Sequence, residues 1–377
     1  MATISDVLRA LDARFPFGRA ESWDKVGLQI GAAGAPVTGV YVAYEVTESL
    51  ISASSGHEAV VVYHPLLFRP LENLNFANHT ARLAARLIAS GQNLISVHTA
   101  LDGAEPPGAL GDALANRLGL RDVALLKPSG AGKLVKIVTF VPDEALAHVS
   151  EALWAAGAGQ IGRYDRASFR TRGVGTFRPL EGANPYLGQT GQTEEAGEWR
   201  LEVIVPEGAW KRVVGALIDA HPYEEVAYDV VPLLNGVSGG GYGPARLGHI
   251  APVALDEFAR SVSASLGAPG ARLVRRRGAE GADLVRSVAC SPGSGASLIE
   301  AAAAAGADCL VTGDIKHHDA LKAMELGLNV LDVSHAATER AAVPLLADAL
   351  RALHGVTVTA GPTDTNPFET VPRHFAG

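Results

Sequence analysis

The sequence predicts an α/β fold that is interrupted by an insert with the element order βαββαβ. Three observations lead to this prediction. Short apolar segments alternate with amphipathic helical segments in the first third of the chain and again in the last third, which favours parallel strands. The middle part has a different order of elements. The glycine-rich stretches KPSGAGK and NGVSGGGYGPARLG flank that part. We therefore expect two α/β portions, residues 1–130 and 236–377, to form one fold around an insert at 131–235.

The first α/β portion begins with the helical pattern ISDVLRALDARF, for which Ser5 is a candidate N-cap. The segments GVYVAYEV, AVVVYH and NLISVHT are short and rich in β-branched residues, as strands are. The amphipathic segment HTARLAARLIASG lies between the last two and ends at Gly91. The alternation predicts parallel strand pairing.

The insert follows a different pattern. A strand (KLVKIVTFVP) precedes a helix capped at Asp143, and RYDRASFRTRGVGTFRPL has the character of a hairpin. A strand (WRLEVIVP), a helix (AWKRVVGALIDAHP) and a final strand (EEVAYDVVPL) complete the segment. The order βαββαβ is that of the ferredoxin-like split unit.

The second α/β portion alternates again. Its predicted helices are VALDEFARSVSASLG, SLIEAAAAAGAD, HDALKAMELG and ATERAAVPLLADALRALHG. Its predicted strands are RSVACS, CLVTGD, NVLDVS and VTVTAGP.

Composition limits the classes of function. The chain has 377 residues and a net charge of -8, which disfavours nucleic-acid binding. It has only two cysteines, so neither a disulfide framework nor a cysteine-based zinc site is expected, and a reducing cytoplasm is favoured. No apolar segment has the length of a membrane span and the N-terminal stretch lacks a signal-peptide core, so we expect no membrane partner.

Three histidines follow predicted strands. His64 ends one strand, and His98 and His335 each end another, with Asp102 and Glu339 four residues further on. Open α/β sheets bind ligands outside the carboxyl ends of their strands, so these five groups are expected to face one crevice. Mixed imidazole and carboxylate ligands suit Zn, Fe, Mn or Ni. Alternatively, the spacings arise by chance and Glu339 is an acid that favours a helix N-terminus.

Two further segments are candidates for substrate contacts. Gly293, Ser294, Gly295 and Ser297 lie between a strand and a helix, where free amides would hold a phosphate. The alternative is a tight turn that needs glycine for packing. The segment TGDIKHHDA, with Lys316 and His318, would bind substrate or transfer protons, or else it is a solvated helix start.

Seven short motifs together resemble one family, the dinuclear-metal GTP cyclohydrolase 1 type 2 homologues, also called NIF-three-like proteins. The motifs are WDKVGLQIG at 23–31, HPLLF at 64–68, SVHTALD at 96–102, CSPGSGAS at 290–297, TGDIKHHDA at 312–320, SHAATE at 334–339 and TNPF at 365–368. The insert, with AHPYEEVAYDVVPL at 220–233, resembles the PII/CutA-like domain of longer family members. The resemblance covers nearly the whole chain.

The resemblance implies two divalent metal ions bound by matching residues. These residues are His64, His98, Asp102, His335 and Glu339. It also implies a ring-shaped homohexamer with the sites in its cavity. The activity proposed for the family includes opening of the imidazole ring of GTP.

This sequence departs from the family pattern at three positions. Tyr63 replaces the first His of the usual His-His-Pro, Lys25 replaces the usual Asn after Trp-Asp, and His317 replaces a usual Tyr. A phenol is a poor ligand at neutral pH because its pKa is near 10. Three outcomes are open for Tyr63: it ligates, one metal site is weakened, or His317 or water fills the gap.

The leading hypothesis is a metal-dependent hydrolase of a purine-nucleotide-like substrate, in which metal-activated water attacks a ring carbon such as guanine C8. Lys316 or the Gly/Ser loop would hold phosphates, and His318 would transfer the proton. The alternative is a non-enzymatic protein that binds or delivers a metal or metallocofactor, with the insert as a sensor.

Overall fold

The computed structural model describes residues 1–128, 134–161, 164–234, 242–278 and 283–369. The chain forms two compact units. Unit 1 comprises Met1–Ser129 and Tyr242–Gly377, and unit 2 comprises Gly130–Gly241.

Helices and strands alternate through most of the described chain. The α-helices are α1 Ile4–Arg14, α2 Glu48–Ala53, α3 His79–Ala89, α4 His98–Asp102, α5 Leu110–Arg117, α6 Leu146–Ala155, α7 Trp210–Ala220, α8 Leu255–Ser265, α9 Ile299–Ala304, α10 His317–Glu325, α11 His335–Glu339 and α12 Ala342–Leu350. The strands are β1 Gly27–Ile30, β2 Gly39–Ala43, β3 Ala59–Val62, β4 Asn93–Ser96, β5 Arg121–Leu125, β6 Leu134–Pro142, β7 Phe169–Phe177, β8 Glu194–Pro206, β9 Tyr228–Leu233, β10 Arg246–Ala254, β11 Arg272–Val274, β12 Leu284–Ser294, β13 Cys309–Gly313, β14 Asn329–Asp332 and β15 Thr357–Ala360. None of the helices in the described ranges has the length and apolar character that a bilayer crossing requires.

The first sheet of unit 1 has the strand order β1-β4-β3-β2-β15. Strands β15, β2, β3 and β4 are parallel, and β1 is antiparallel to β4. Helices α1 and α12 cover one face through residues such as Leu11 and Leu346, and α3 covers the other through Leu83 and Leu87. Because both faces are buried, the central strands are continuous apolar segments rather than alternating ones.

The second sheet of unit 1 has the strand order β11-β14-β13-β12-β10-β5. Its central strands β12, β13 and β14 are parallel. Helices α5 and α8 pack on one face and α9 and α10 on the other, with side chains such as Phe258 and Ile299 in the two cores. The chain leaves this sheet after β5 and returns to it at β10, and these two strands are antiparallel neighbours, with Leu125 opposite Arg246.

Arg246 is the cation of a buried ion pair that involves this sheet. Its side chain is 1% exposed, and its Nε and Nη2 atoms donate to the two carboxylate oxygens of Asp112 in α5, at 2.5 and 2.9 Å. Its remaining nitrogen, Nη1, donates to the Gly243 carbonyl at 2.6 Å. The pair therefore connects α5 to β10 through fully satisfied polar groups.

Unit 2 has the order β6, α6, β7, β8, α7, β9. Its four strands form an antiparallel sheet in the order β7-β8-β6-β9, and the apolar faces of α6 and α7 contribute Leu153 and Leu217 to its core. The hairpin predicted within RYDRASFRTRGVGTFRPL is wrong, because β7 is the only strand among the described residues 164–180 of that segment. The partner of β7 is β8, with Phe169 opposite Glu202 and Phe177 opposite Glu194.

The two cysteines are free and buried in the second sheet, as their small number predicts. Burial raises the pKa of both the Cys290 and the Cys309 thiol to about 12, so neither is a reactive thiolate near neutral pH.

Candidate metal centre

The candidate site lies in unit 1, where residues that follow parallel strands of both sheets come together. In the first sheet, Tyr44 follows β2, Tyr63 and His64 follow β3, and His98 follows β4. In the second sheet, Asp314 follows β13 and His335 follows β14. The carboxyl ends of parallel strands are where open α/β sheets place ligand sites.

Glu339 is the centre of this cluster. Its side chain is 4% exposed. Its Oε2 atom accepts from the Tyr44 hydroxyl at 2.5 Å and lies 3.2 Å from His64 Nε2. Its Oε1 atom lies 3.2 Å from His335 Nε2 and 3.4 Å from the Tyr63 hydroxyl oxygen. Burial by itself would raise the pKa of Glu339, but the hydrogen bonds from His335 and His64 outweigh it and lower the pKa to about 2.

His335 and Glu339 are the first and last residues of the short helix α11, so one helical turn brings their side chains together. The other ring nitrogen of His335, Nδ1, lies 2.8 Å from Asp314 Oδ2. The hydrogen bond to Glu339 is the main cause that raises the pKa of His335 to about 9, against the effect of burial. The imidazole is thus oriented by carboxylates on both sides.

His98 has a similar outer partner. Its Nδ1 lies 2.9 Å from Asp24 Oδ1, and its ring centroid is 5.0 Å from that of His64. The other oxygen of Asp24 accepts from the backbone N–H and the hydroxyl of Thr99, at 3.0 and 2.5 Å. Burial opposes ionisation of Asp24, but the hydrogen bonds from His98 and Thr99 prevail and lower its pKa to about 2. A charged Asp24 fixes the ring of His98.

Tyr63 connects Asp102 to Glu339. It is 1% exposed, and its hydroxyl donates to the two oxygens of Asp102, at 3.0 and 3.2 Å. Burial and the nearby charge of Asp102 raise the pKa of Tyr63 well above its usual value. Burial and the charge of Glu339 raise the pKa of Asp102 to about 8. The phenol therefore acts as a hydrogen-bond donor to the carboxylate that the sequence places one turn after His98.

Three residues at these strand ends have a backbone conformation that L-residues rarely adopt. His98, Asp314 and Ser334 have φ values of 31°, 57° and 73°. Such strained positions cluster at functional sites, where the surrounding structure enforces them. The strain supports the interpretation that this cluster is a functional centre.

The donor set fits a divalent cation. One ligand atom from each of His64, His335 and Glu339 lies within 4.8 Å of the others. His335 and His98 each present Nδ1 to a carboxylate, the usual outer partner of a metal-binding histidine, and keep Nε2 for an ion. The buried, ionised carboxylate of Glu339 contributes negative charge that a cation would compensate.

The Gly/Ser loop contacts this cluster through its backbone. A side chain on Gly293 would come within 2.6 Å of Glu339 Oε1, and the Gly293 N–H already donates to Thr338 Oγ1 at 2.8 Å. A side chain on Gly295 would collide with Thr312 at 2.3 Å. Close packing therefore requires both glycines, whereas Ser294 and Ser297 are exposed.

Lys316 and His318 are exposed at the start of α10. Within the described ranges, no hydrogen bond, ion pair or ring contact joins either residue to the cluster around Glu339. His318 instead has its ring 5.3 Å from that of His317. The structure thus gathers the six predicted metal-site residues and keeps these two in solvent.

Sequence reasoning missed Tyr44 and the partner roles of two aspartates. Tyr44 lies inside the predicted strand GVYVAYEV, whereas β2 ends at Ala43, so the sequence carried no signal that Tyr44 stands at a strand end. Asp24 and Asp314 lie in the motifs WDKVGLQIG and TGDIKHHDA, but their histidine partners lie 74 and 21 residues away in the sequence. Spacing within one motif cannot indicate such pairs.

Nearly the whole chain is similar to known proteins, both in sequence and in structure. The family model described as Duf34/NIF3 (NGG1p interacting factor 3) matches residues 2–367. The chain is 37% identical over 332 residues to a GTP cyclohydrolase 1 type 2 homolog of Halalkalibacterium halodurans, covering 87% of each chain. It is 36% identical over 369 residues to the protein of the same name from Bacillus subtilis, covering 96% of this chain and 97% of that protein. A Bacillus cereus protein related to NIF3 has a similar crystal structure, with a TM-score of 0.78, 35% identity, and coverage of 98% of this chain and 99% of that one.

Proposed function

Because this chain belongs to the Duf34/NIF3 family, we propose that it is a metal-dependent hydrolase of a purine-nucleotide-like substrate, with opening of the guanine imidazole ring of GTP as the candidate reaction. One observation carries the proposal. The buried Glu339 carboxylate lies 3.2 Å from a nitrogen of each of two imidazoles that come from different sheets. Such a group of two nitrogens and an oxygen suits a catalytic transition-metal ion.

The residues of this chain have distinct roles in the proposal. His64, His335 and Glu339 would hold the ion, which when bound would supply Lewis-acid activation of water. Tyr44 donates to Glu339 and keeps its oxygens directed at the two imidazoles. Asp314 holds the ring orientation of His335. Each of these contacts positions a donor atom before substrate binds.

Groups outside the cluster complete the proposal. The exposed side chains of Lys316, Ser294 and Ser297 are available to phosphate oxygens, and the exposed ring of His318 is available for proton transfer. Their solvent exposure is compatible with contact to a bound substrate. We also propose a cytoplasmic location and a ring-shaped homohexamer, as the family resemblance implies.

Turnover of GTP tests the proposed reaction. Protein loaded with Zn, Fe, Mn or Ni and incubated with GTP is expected to generate a new absorbance from a pterin precursor, because water adds to the imidazole ring. Glu339→Gln protein treated in the same way is the matched control and should remain inactive. If the metal-loaded wild-type protein holds its ion but consumes no GTP, the hydrolase proposal is wrong and a metal-delivery role is favoured.

We propose that the wild-type chain holds one ion tightly rather than two, because Tyr63 offers no nitrogen donor where a second ion would need one and its hydroxyl also donates to Asp102. Tyr63→His is expected to raise tightly bound metal from about one ion per chain toward about two, since an imidazole adds a neutral nitrogen donor and frees Asp102. Metal analysis of protein purified without added metal measures this change.

Tyr63→Phe is the control for this substitution, because it removes the hydroxyl and offers no donor. Its metal content should stay at the wild-type value. Equal, tight occupancy by two ions in both the wild type and Tyr63→Phe would contradict the one-ion proposal. A visible charge-transfer band in Fe(III)-loaded wild-type protein that disappears in Tyr63→Phe would instead indicate phenolate ligation.

For unit 2 we propose a ferredoxin-like insert domain of the PII/CutA-like type, bounded by residues 131–235. Its βαββαβ order and the antiparallel order β7-β8-β6-β9 support the proposal. The fragment 131–235 is therefore expected to fold alone and to unfold cooperatively in urea, because α6, α7 and the sheet form one core. A fragment without dispersed amide resonances or a cooperative transition would contradict the boundaries.

The pH dependence of that fragment provides a second check. His221 is 8% exposed, its Nε2 donates to the Phe140 carbonyl at 3.0 Å, and its Nδ1 accepts from the Tyr223 N–H at 3.1 Å. Burial lowers its pKa below 6.5, so the unfolded chain binds the proton first. Stability should therefore be fully present above about pH 6.5 and fall as the pH drops from there toward the lower folded pKa. His221→Gln should flatten this dependence.

A further inference from the structure

Two exposed aromatic side chains lie at the edge of the candidate metal centre. Trp23 is 52% exposed and Phe68 is 44% exposed. Their ring centroids are 5.8 Å apart with the planes at 61°, and the Trp23 ring is 6.1 Å from that of His98. A solvent-exposed indole adjacent to a cluster of imidazoles and carboxylates has an apolar face that is available to a ligand.

We propose that Trp23 and Phe68 form the stacking site for the planar heteroaromatic ring of the substrate. The proposal rests on the proposed function and specifies which part of a nucleotide-like molecule these residues hold. Aromatic side chains bind bases through their π-faces without requiring a particular base. The contact of Trp23 with His98 would place the ring next to the metal centre.

The residue next to each aromatic side chain makes hydrogen bonds that order the backbone at that point. Trp23 directly precedes Asp24, whose carboxylate is bonded to His98 and Thr99. Phe68 directly follows Leu67, whose N–H donates to Gln29 Oε1 at 3.1 Å and whose carbonyl accepts from Gln29 Nε2 at 3.5 Å. An ordered backbone reduces the conformational entropy that is lost when a ligand binds.

Two cations flank the aromatic pair in the sequence. Lys25 lies two residues after Trp23, and Arg69 directly follows Phe68. Both are exposed, and across the described ranges neither side chain has an ion pair or a hydrogen bond. In a chain with a net charge of -8, two uncompensated cations beside a stacking pair fit a ligand that combines a planar ring with phosphate groups.

Binding measurements on the metal-loaded full-length protein show separately how the ring and the phosphate groups of such a ligand contribute to affinity. Calorimetric titrations use three probes: GTP, pterin, which has the ring without phosphate, and tripolyphosphate, which has phosphate without a ring. Trp23→Ala is expected to lower the affinity for GTP and for pterin by about 5- to 150-fold, as the loss of one stacking contact predicts. The affinity for tripolyphosphate should not change. Lys25→Ala should lower the affinity for GTP and for tripolyphosphate but not the affinity for pterin.

Two further variants control for indirect effects. Trp23→Phe retains an aromatic face and should retain most of the affinity for GTP and pterin, which a merely structural role of the indole would not predict. Phe76→Ala removes an aromatic side chain that is 60% exposed eight residues after Phe68, and it should change no affinity.

The outcomes distinguish this proposal from the proposed function. If GTP binds and Trp23→Ala does not weaken it, the stacking site is wrong and the nucleotide proposal stands. If pterin binds in a Trp23-dependent manner but GTP neither binds nor reacts, the stacking site stands and the nucleotide proposal is wrong. Absence of binding by both ring probes overturns both. A change in oligomeric state on Trp23→Ala, without a change in affinity, would assign the aromatic pair to a contact between copies of the chain.

Discussion

Glu339→Gln is expected to abolish tight metal binding while the fold is retained. Glutamine has the size of glutamate but lacks the charge that faces His64 and His335, each at 3.2 Å. Loss of an outer partner of a metal ligand costs about 10–100-fold in affinity, so the loss of a direct carboxylate ligand should cost at least about 100-fold. Metal analysis of the purified variant, together with a competition titration against a chelator, measures the effect.

Two matched variants show whether the effect is specific. Asp314→Asn weakens only the outer contact to His335 and should cost about 10–100-fold in metal affinity. Glu325→Gln changes an exposed carboxylate at the end of α10, paired with Arg277 at 3.6 Å, and should leave metal content unchanged. Wild-type metal content in Glu339→Gln, with the same result in His335→Ala, would overturn the assignment of this cluster as a metal centre.

Arg246→Ala is expected to lower the free energy of unfolding by about 3–5 kcal/mol, because the Asp112 carboxylate would remain buried without its partner. Asp112 is 6% exposed and accepts both hydrogen bonds of the guanidinium fork. Urea unfolding of the full-length protein, followed by circular dichroism, measures the change.

An exposed ion pair provides the comparison for Arg246. Arg351 pairs with Asp348 at the surface, where both side chains are more than half exposed. Arg351→Ala should therefore change the free energy of unfolding by less than about 0.5 kcal/mol. The double variant Asp112→Leu, Arg246→Met should recover much of the lost stability, since it leaves no buried charge. An Arg246→Ala protein as stable as the wild type would mean that water reaches Asp112.

The sequence predicted the parallel centre of both sheets but not their antiparallel edges. Strands such as β3, with the sequence AVVV, are buried at every position and are visible as apolar runs. Strand β5 is exposed at four of its five residues and is held by its pairing with β10. Local sequence carries little signal for such a strand, because a partner more than a hundred residues away determines it.

The candidate site was predictable where it depends on strand ends and one helical turn. His64, His98 and His335 each follow a parallel strand, and α11 brings Glu339 back to His335. The role of Tyr63 was not predictable in the same way. Tyr63 follows β3, whereas Asp102 lies in α4, which follows β4. Only the pairing of β3 with β4 brings the Tyr63 hydroxyl to Asp102.

The neighbouring strands β5 and β10 have an evolutionary consequence. The chain leaves unit 1 after one strand and re-enters it on the strand beside it, with Leu125 and Arg246 opposite each other. In chain order, the segment for unit 2 is therefore inserted between two strands of unit 1 that pair directly with each other. A gene could therefore acquire, exchange or lose the segment for unit 2 by recombination between these two strands, and no strand pairing or metal-site residue of unit 1 would have to change.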